Sequence, residues 1–400
     1  MSNASNNLST KNMAISGSPT LAIDAKFKEL KANGEDALGF GVGEPDFDTP
    51  LHIKQAAIKA INDGFTKYTP ASGTLTLKKA ICAKLKNDNN LDYTPAEIVV
   101  NNGAKHSLVN ALSAILNPGD EVIIPAPFWV SYPEMVKIAD GVPVVLPTTE
   151  ENNFKFTLQD LKNKISAKTK AIIINSPSNP TGMIYTEDEL RDIADLAVEK
   201  GIYIISDEIY EKLIYNGKHV SIASFNDQIK DLTIIVNGVS KSYAMTGWRI
   251  GYTASNAQIA KIMSNIQSHM TSNPCSISQA AAVAALEGDQ SCVDEMRAEF
   301  LKRRNYVVEA INKIPQISCL NADGAFYVMI NISKVFGTTL NGVKINSATD
   351  FCNALLDAKK VALVPGEGFD APNYCRMSYA TSISTIEKGI ARIDEFLNGR

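Results

Sequence analysis

Long apolar runs are missing from this 400-residue chain, and no stretch approaches the ~20 residues that cross a bilayer, so no membrane span is expected. Basic runs are missing too. The formal net charge is −4 with Lys and Arg scattered, which excludes a nucleic-acid groove or polybasic membrane face as the main surface. Charge clusters such as Lys26 to Lys31 read as solvated helix faces. The six cysteines (Cys82, Cys275, Cys292, Cys319, Cys352, Cys375) lie far apart with no CxxC, and histidines number only four, so zinc ligation lacks both spacing and ligands. A chain this long needs no disulfide framework, and reduced cysteines in a cytoplasmic protein are expected. Also missing are a GxSxG elbow, a Walker loop and a dinucleotide fingerprint. Gly41-Val42-Gly43-Glu44-Pro45 has a superficial GxG, but Pro45 and Asp46 leave no helix start behind it. The polar, Ser- and Asn-rich stretch Met1 to Lys11 has no secretory pattern and reads as a disordered tail.

What is present is an ordinary globular composition. With 45% apolar and 20% charged residues the chain can bury a large interior, and 400 residues exceed what one core usually serves, so two domains are expected. Six short apolar runs read as buried strands: Glu97–Asn101, Glu121–Pro125, Val142–Leu146, Ala171–Asn175, Ile202–Ser206 and Thr233–Asn237. Between them lie helical patterns such as Lys105–Leu116 and Thr186–Lys200, the latter opening on a capping box, Thr186-Glu187-Asp188-Glu189. Strands alternating with helices imply a mainly parallel sheet covered on both faces. After Gly288 the pattern changes to a long polar helix, Asp294 to Ile314, then Gly324–Ile330, a helix near Ala348–Ala358, and Arg376–Tyr379. The expected fold is α/β: a three-layer α/β/α large domain over residues 48–289, and a smaller α+β domain over 290–400 joined by residues 1–47.

Ligands of open α/β sheets bind beyond the carboxyl ends of the strands, so polar residues just after apolar runs are the candidates. Asp207 follows Ile204-Ile205-Ser206; taken alone, an Asp there is more often a helix cap or salt-bridge partner, and Tyr210, three residues on, reads equally as a packed aromatic. Lys241 follows the run that ends at Asn237-Gly238-Val239-Ser240. A lysine there is solvated unless a desolvated, cation-rich pocket lowers its pKa and lets it form a Schiff base. Arg249, eight residues later, binds phosphate or anchors the loop. The turn Asn175 to Gly182, crowded with Pro and Asn, presents Asn179 before Pro180, where a cis peptide is an option. Asn101-Asn102-Gly103-Ala104-Lys105 runs from a strand into a helix, whose first free N–H groups would cradle a phosphate.

Taken together and in this order, these segments resemble the class I aminotransferases of the type I pyridoxal-phosphate fold, in the bacterial aspartate-aminotransferase-like subgroup. The resemblance runs from about Ser18 to Phe396. It includes Gly43-Glu44-Pro45-Asp46-Phe47, Lys67-Tyr68-Thr69-Pro70, Trp129-Val130-Ser131-Tyr132-Pro133, Asn179-Pro180-Thr181-Gly182 and Ser206-Asp207-Glu208-Ile209-Tyr210. It continues through Ser240-Lys241, Thr246-Gly247-Trp248-Arg249, Gly324-Ala325-Phe326-Tyr327 and Arg376-Met377-Ser378-Tyr379-Ala380.

The resemblance implies pyridoxal 5'-phosphate as cofactor and a role for each residue. Lys241 would hold the cofactor covalently and then act as general base. Asp207 would pair with the pyridine nitrogen. Tyr210 and Asn179 would share the cofactor's phenolic oxygen, and Trp129 would stack on its ring. Ala104, Lys105 and Arg249, with Tyr68 of a second subunit, would hold the phosphate, so a homodimer is implied. Arg376 would grip the substrate α-carboxylate with its planar fork, and Gly43 would line the substrate pocket by close backbone approach. Substrates would be an amino acid and a 2-oxo acid, most simply L-aspartate and 2-oxoglutarate in a ping-pong cycle. Alanine, aromatic, methionine or kynurenine donors, prephenate as acceptor, and a C–S lyase of the same fold share these segments. A regulator that keeps the fold without turnover would need a degraded site, and none of these positions is degraded.

Two positions depart from the pattern. Gly238 stands where some relatives place a phosphate-binding serine, leaving that role to Ser240 or backbone. Ser16-Gly17 stands where some prephenate-using relatives carry a lysine, which lowers the expectation for prephenate.

Overall fold

The computed structural model describes residues 8–17 and 19–399, with the side chains of residues 19–22 left aside. Seven strands form the central sheet: β1 (Ile98–Asn101), β2 (Glu121–Pro125), β3 (Val142–Leu146), β4 (Thr169–Asn175), β5 (Tyr203–Asp207), β6 (Thr233–Gly238) and β7 (Gly251–Ala254). Their spatial order is β1-β7-β6-β5-β4-β2-β3. From β6 to β3 every pairing is parallel, while β7 runs antiparallel to both β6 and β1. The six expected strands are all present within a residue or two. β7 is the one the sequence reading lacks; it is a four-residue strand led by a glycine, too short to show a period.

The alternation of side chains along each strand feeds two apolar layers. Ala171 and Ile173 of β4, with Ile205 of β5 and Ile234 and Val236 of β6, pack under the helices Ala104–Ile115, Ser131–Ile138 and Ala257–Met270. Ile172 and Ile174, with Ile204, face the opposite way against the helix Glu187–Lys200. The expected capping box is made there: Thr186 Oγ1 accepts from the Glu189 N–H, and Glu189 accepts in return from the Thr186 N–H at 2.7 Å. This is the three-layer α/β/α arrangement.

The remaining elements form a smaller lobe. Strands β8 (Ser318–Cys319), β9 (Tyr327–Asn331), β10 (Val364–Pro365) and β11 (Tyr374–Ser378) make an antiparallel sheet in the order β10-β11-β9-β8. The helices Ser291–Asn312, Ala348–Lys359 and Ile383–Leu397 cover it, burying Phe300, Phe326, Phe351 and Phe396 in one cluster. The N-terminal segment joins the same lobe. Leu38–Gly39 pairs in parallel with Val361–Ala362, and Phe40 sits in the same apolar cluster.

Among the described residues no helix is long and apolar enough to cross a membrane, and all six cysteines are free. Of the stretch expected as a disordered tail, residues 1–7 lie outside the described residues, and its end departs from that expectation. Ser9 caps a one-turn helix, Thr10–Met13, and Lys11 pairs with Asp140 at 2.8 Å.

Candidate active site

The carboxyl ends of β4, β5 and β6 open into a cavity of about 410 Å³ that the smaller lobe closes from above. The chain reverses direction after each parallel strand, so the first residues past the strand end are set at the cavity floor. Asp207 ends β5 and Lys241 follows β6; Tyr210, Asn179, Trp129, Ala104, Lys105, Arg249, Gly43 and Arg376 line the same space. Ten of the eleven residues singled out from sequence therefore meet here. Tyr68 does not. It stands 89% exposed, outside the cavity wall, on the loop between the helices Leu51–Asn62 and Leu75–Asn89, which carry the exposed apolar side chains Leu51, Ile58, Ile61 and Leu75.

Each side chain has a physical reason for its position. Lys241 is half-buried at the cavity, and its Nζ donates to the Gly43 carbonyl. Burial pulls its pKa down to about 8; Glu44 opposes this, and the cations Arg376 and Arg249 add to it. Asp207 shows the converse: burial lifts its carboxyl to about 6, although Tyr132 donates to Oδ2 at 2.6 Å and the Ile209 N–H to Oδ1 at 3.3 Å. Asn175 ties the floor together, donating from Nδ2 to the Asp207 carbonyl at 2.9 Å and accepting from the Asn179 N–H at 2.8 Å. The Asn179–Pro180 peptide is cis, the option left open above.

Arg376 is the most exceptional group. It is 2% exposed, donates from Nη1 to Asn179 Oδ1 at 2.8 Å and from Nη2 to the Gly41 carbonyl at 2.6 Å, and stacks over Tyr327 at 4.5 Å. Its Nε finds no partner, and no carboxylate pairs with it among the described residues. Burial consequently depresses its pKa. A buried guanidinium without a counter-ion is costly, and an incoming anion relieves that cost.

At the opposite end of the cavity lies a second anion-attracting feature. Gly103, at φ +84°, precedes the helix Ala104–Ile115 and brings no side chain to cap its first N–H groups. Gly251 of β7 packs so close that a Cβ there would stand 2.2 Å from the Ala104 nitrogen. Lys105 and Arg249 flank this helix start; burial and then the Arg249 charge lower the Lys105 pKa. Lys105 Nζ also lies 4.8 Å from the Trp129 ring centre. An uncapped helix start flanked by cations and an unpaired guanidinium thus share one cavity with Lys241.

The family model for aminotransferase class I and II matches residues 35–393. The chain belongs to the class I and II aminotransferases. An aspartate aminotransferase of Bacillus sp. strain YM-2 is 52% identical over 391 residues, covering 98% of this chain and 99% of that one. That of Bacillus subtilis is 51% identical over 96% of this chain and 97% of its own length. Among solved structures, the aspartate aminotransferase of Rhizobium meliloti superposes with a TM-score of 0.94 at 41% identity over 98% of this chain and 99% of that one. The Thermus thermophilus aspartate aminotransferase with maleate gives 0.92 at 39% identity over the same shares.

In this aminotransferase several residues take parts that sequence reasoning missed. Tyr132 was visible only as a neighbour of Trp129, yet it is a hydrogen-bond donor to Asp207. Tyr327 shares a 2.9 Å hydrogen bond with Tyr210 and leaves no room at Gly43, where a Cβ would lie 2.5 Å from its hydroxyl. Asn175 joins two loops. The pairings to Asp207 and Tyr210 are between segments far apart in sequence, and no local spacing reports them. Gly238 is explained by packing: a Cβ would meet the Ile250 carbonyl at 2.8 Å and the Gly251 Cα at 3.0 Å, so no serine fits, while Ser240 lines the cavity.

Proposed function

We propose that this aminotransferase moves the amino group of L-aspartate to 2-oxoglutarate by a ping-pong cycle, with pyridoxal 5'-phosphate held by Lys241, as a cytoplasmic homodimer. The observation that supports the reading is one cavity that holds a depressed-pKa lysine, the uncapped helix start at Ala104 and the unpaired Arg376. The donor set fits a phosphorylated pyridine aldehyde. Its phosphate would meet the Ala104 and Lys105 N–H groups, Arg249 and Ser240, and its ring nitrogen would meet the buried Asp207. Trp129 would cover its face, while Tyr210 and the NH2 of Asn179 would serve its phenolic oxygen. When bound, this group supplies the aldehyde that captures the amine and a ring that accepts the electrons left when the Cα–H bond breaks.

The chain's own residues do the rest. Arg376 holds the substrate carboxylate in its planar fork, fixing which bond at Cα lies across the ring. Lys241, with a pKa near 8, is partly unprotonated at neutral pH and carries the proton away from Cα and back. Asp207 remains ionised only with help, from Tyr132 and the Ile209 N–H, and so keeps a proton on the ring nitrogen. Gly43 and Arg376 belong to the lobe that roofs the cavity, and substrate binding would draw that lobe down and exclude water. The exposed Tyr68 is suited to a second subunit's phosphate site.

A donor panel with 2-oxoglutarate tests the reading. The highest kcat/KM should be for aspartate, above alanine, aromatic amino acids, methionine and kynurenine. Sustained consumption of donor with 2-oxoglutarate omitted would instead mean a lyase.

A further inference from the structure

Behind the cavity floor, away from the ligand space, three buried charged groups, Lys84, Glu208 and Glu211, meet His219, whose side chain is 11% exposed. Glu208 and Glu211 come from the same turn as Asp207 and Tyr210, His219 from the loop after that turn, and Lys84 from the helix Leu75–Asn89. Glu208 accepts from Ser221 Oγ at 2.6 Å and Ser206 Oγ at 2.9 Å, and its other oxygen lies 3.1 Å from His219 Nε2. Glu211 pairs with Lys84, accepts from Asn237 Nδ2 at 2.8 Å and Asn89 Nδ2 at 2.9 Å, and lies 3.8 Å from His219 Nε2. Asn237 is in β6, four residues before Lys241, so the cluster joins the two strand ends that carry Asp207 and Lys241.

Glu208, Glu211 and His219 lie within 4.8 Å of one another, the spacing of a metal site. Charge argues otherwise. Lys84 already supplies a cation to Glu211, and hydroxyl and amide donors bond to both carboxylates. With Lys84 and a protonated His219 the cluster balances at two positive and two negative charges; with a neutral His219 one carboxylate is uncompensated. Burial works against the imidazolium, but Glu208, by charge and hydrogen bond, and then Glu211 outweigh it and raise the His219 pKa. The other ring nitrogen, Nδ1, has no partner among the described residues, so the ring is held by these carboxylates alone. Beyond Glu208, Glu211 and Lys84, the next charges are Asp88, 3.7 Å from Lys84, and Lys212, which Asp88 pairs at 2.7 Å; these two cancel.

Glu208 is the residue next to Asp207, and its charge is among the influences that push the Asp207 proton affinity up. We propose that His219 is a positioning residue for the cofactor site, a counter-charge to Glu208 that keeps the adjacent Asp207 carboxylate ionised. The inference rests on the reading that Asp207 meets the protonated ring nitrogen of pyridoxal 5'-phosphate. It predicts effects of opposite sign from two substitutions that both break the same hydrogen bond. A merely structural role predicts the same sign for both.

The test is the dissociation constant of pyridoxal 5'-phosphate for the full-length apoprotein, followed by quenching of tryptophan fluorescence from pH 5 to 9. Affinity should fall on the acid side as Asp207 takes up a proton. His219→Gln should move that acid limb up by about one pH unit, which is about tenfold in affinity along the limb. Glu208→Gln should move it down, and the double variant Glu208→Gln/His219→Gln should return to within reach of the parent. The alkaline limb, governed by Lys241, should not move. An unmoved limb in His219→Gln, a shift of the same sign in both single variants, or a double variant worse than His219→Gln overturns the inference. If His219→Gln does not fold, the downward shift in Glu208→Gln decides alone, and no shift or an upward one overturns it. Failure of the parent apoprotein to bind the cofactor would overturn the underlying reading instead.

Discussion

Replacing Arg376 by lysine keeps a positive charge in the roof of the cavity and removes the planar fork. In the parent the guanidinium spends two N–H groups on Asn179 Oδ1 and the Gly41 carbonyl and stacks over Tyr327, which aims its edge rather than leaving it to swing. A substrate carboxylate received by that edge gains charge-assisted hydrogen bonds that a single ammonium reproduces only in part. Losing one such bond costs about 1.5–3 kcal/mol, and at 1.4 kcal/mol per decade that is about a 10- to 150-fold fall in kcat/KM. Both substrates carry the α-carboxylate, so the KM values for the amino acid and for the 2-oxo acid should rise together. Affinity for pyridoxal 5'-phosphate should stay where it is. Steady-state kinetics in both half-reactions, beside a cofactor titration, make the comparison. Unchanged KM values, or a loss confined to cofactor affinity, would refute Arg376 as the carboxylate clamp.

Further outcomes follow from the same contacts. Asp207 has a folded-state pKa of about 6, raised above the ordinary carboxylate value by burial, so the apoprotein binds this proton more tightly than the unfolded chain and loses stability as pH rises from about 4 to 6. Asp207→Asn should therefore raise the Tm of the apoprotein above pH 6 and give less benefit near pH 4, while abolishing turnover; a Tm lowered at pH 7 would contradict this. Mixed dimers of Tyr68→Phe and Arg376→Ala subunits should recover activity beyond either homodimer, because one of the two shared sites is then intact. No recovery would remove Tyr68 from the partner's site.

Much of the large sheet was legible because buried parallel strands write themselves as continuous Ile and Val runs, as in Ile172-Ile173-Ile174 and Ile234-Ile235-Val236. The cavity residues were legible for a related reason: polar residues directly after such runs, Asp207 and Lys241 among them, have only the strand end to occupy. β7 escaped because its neighbours on both sides, and not its own four residues, decide that it is a strand. Tyr132, Tyr327 and Asn175 escaped because each bonds to a residue distant in sequence, Asp207 or Tyr210. The cluster around Glu208 is the extreme case: Lys84 and Glu211 are far apart in sequence, and nothing local marks a buried lysine.

Borohydride reduction of the cofactor-loaded protein, followed by peptide mass spectrometry, tests the central claim most directly. The account predicts one reduced phosphopyridoxyl adduct, on Lys241, lost when L-aspartate is added before the reductant. An adduct on Lys105 or another lysine, or none at all, would contradict it.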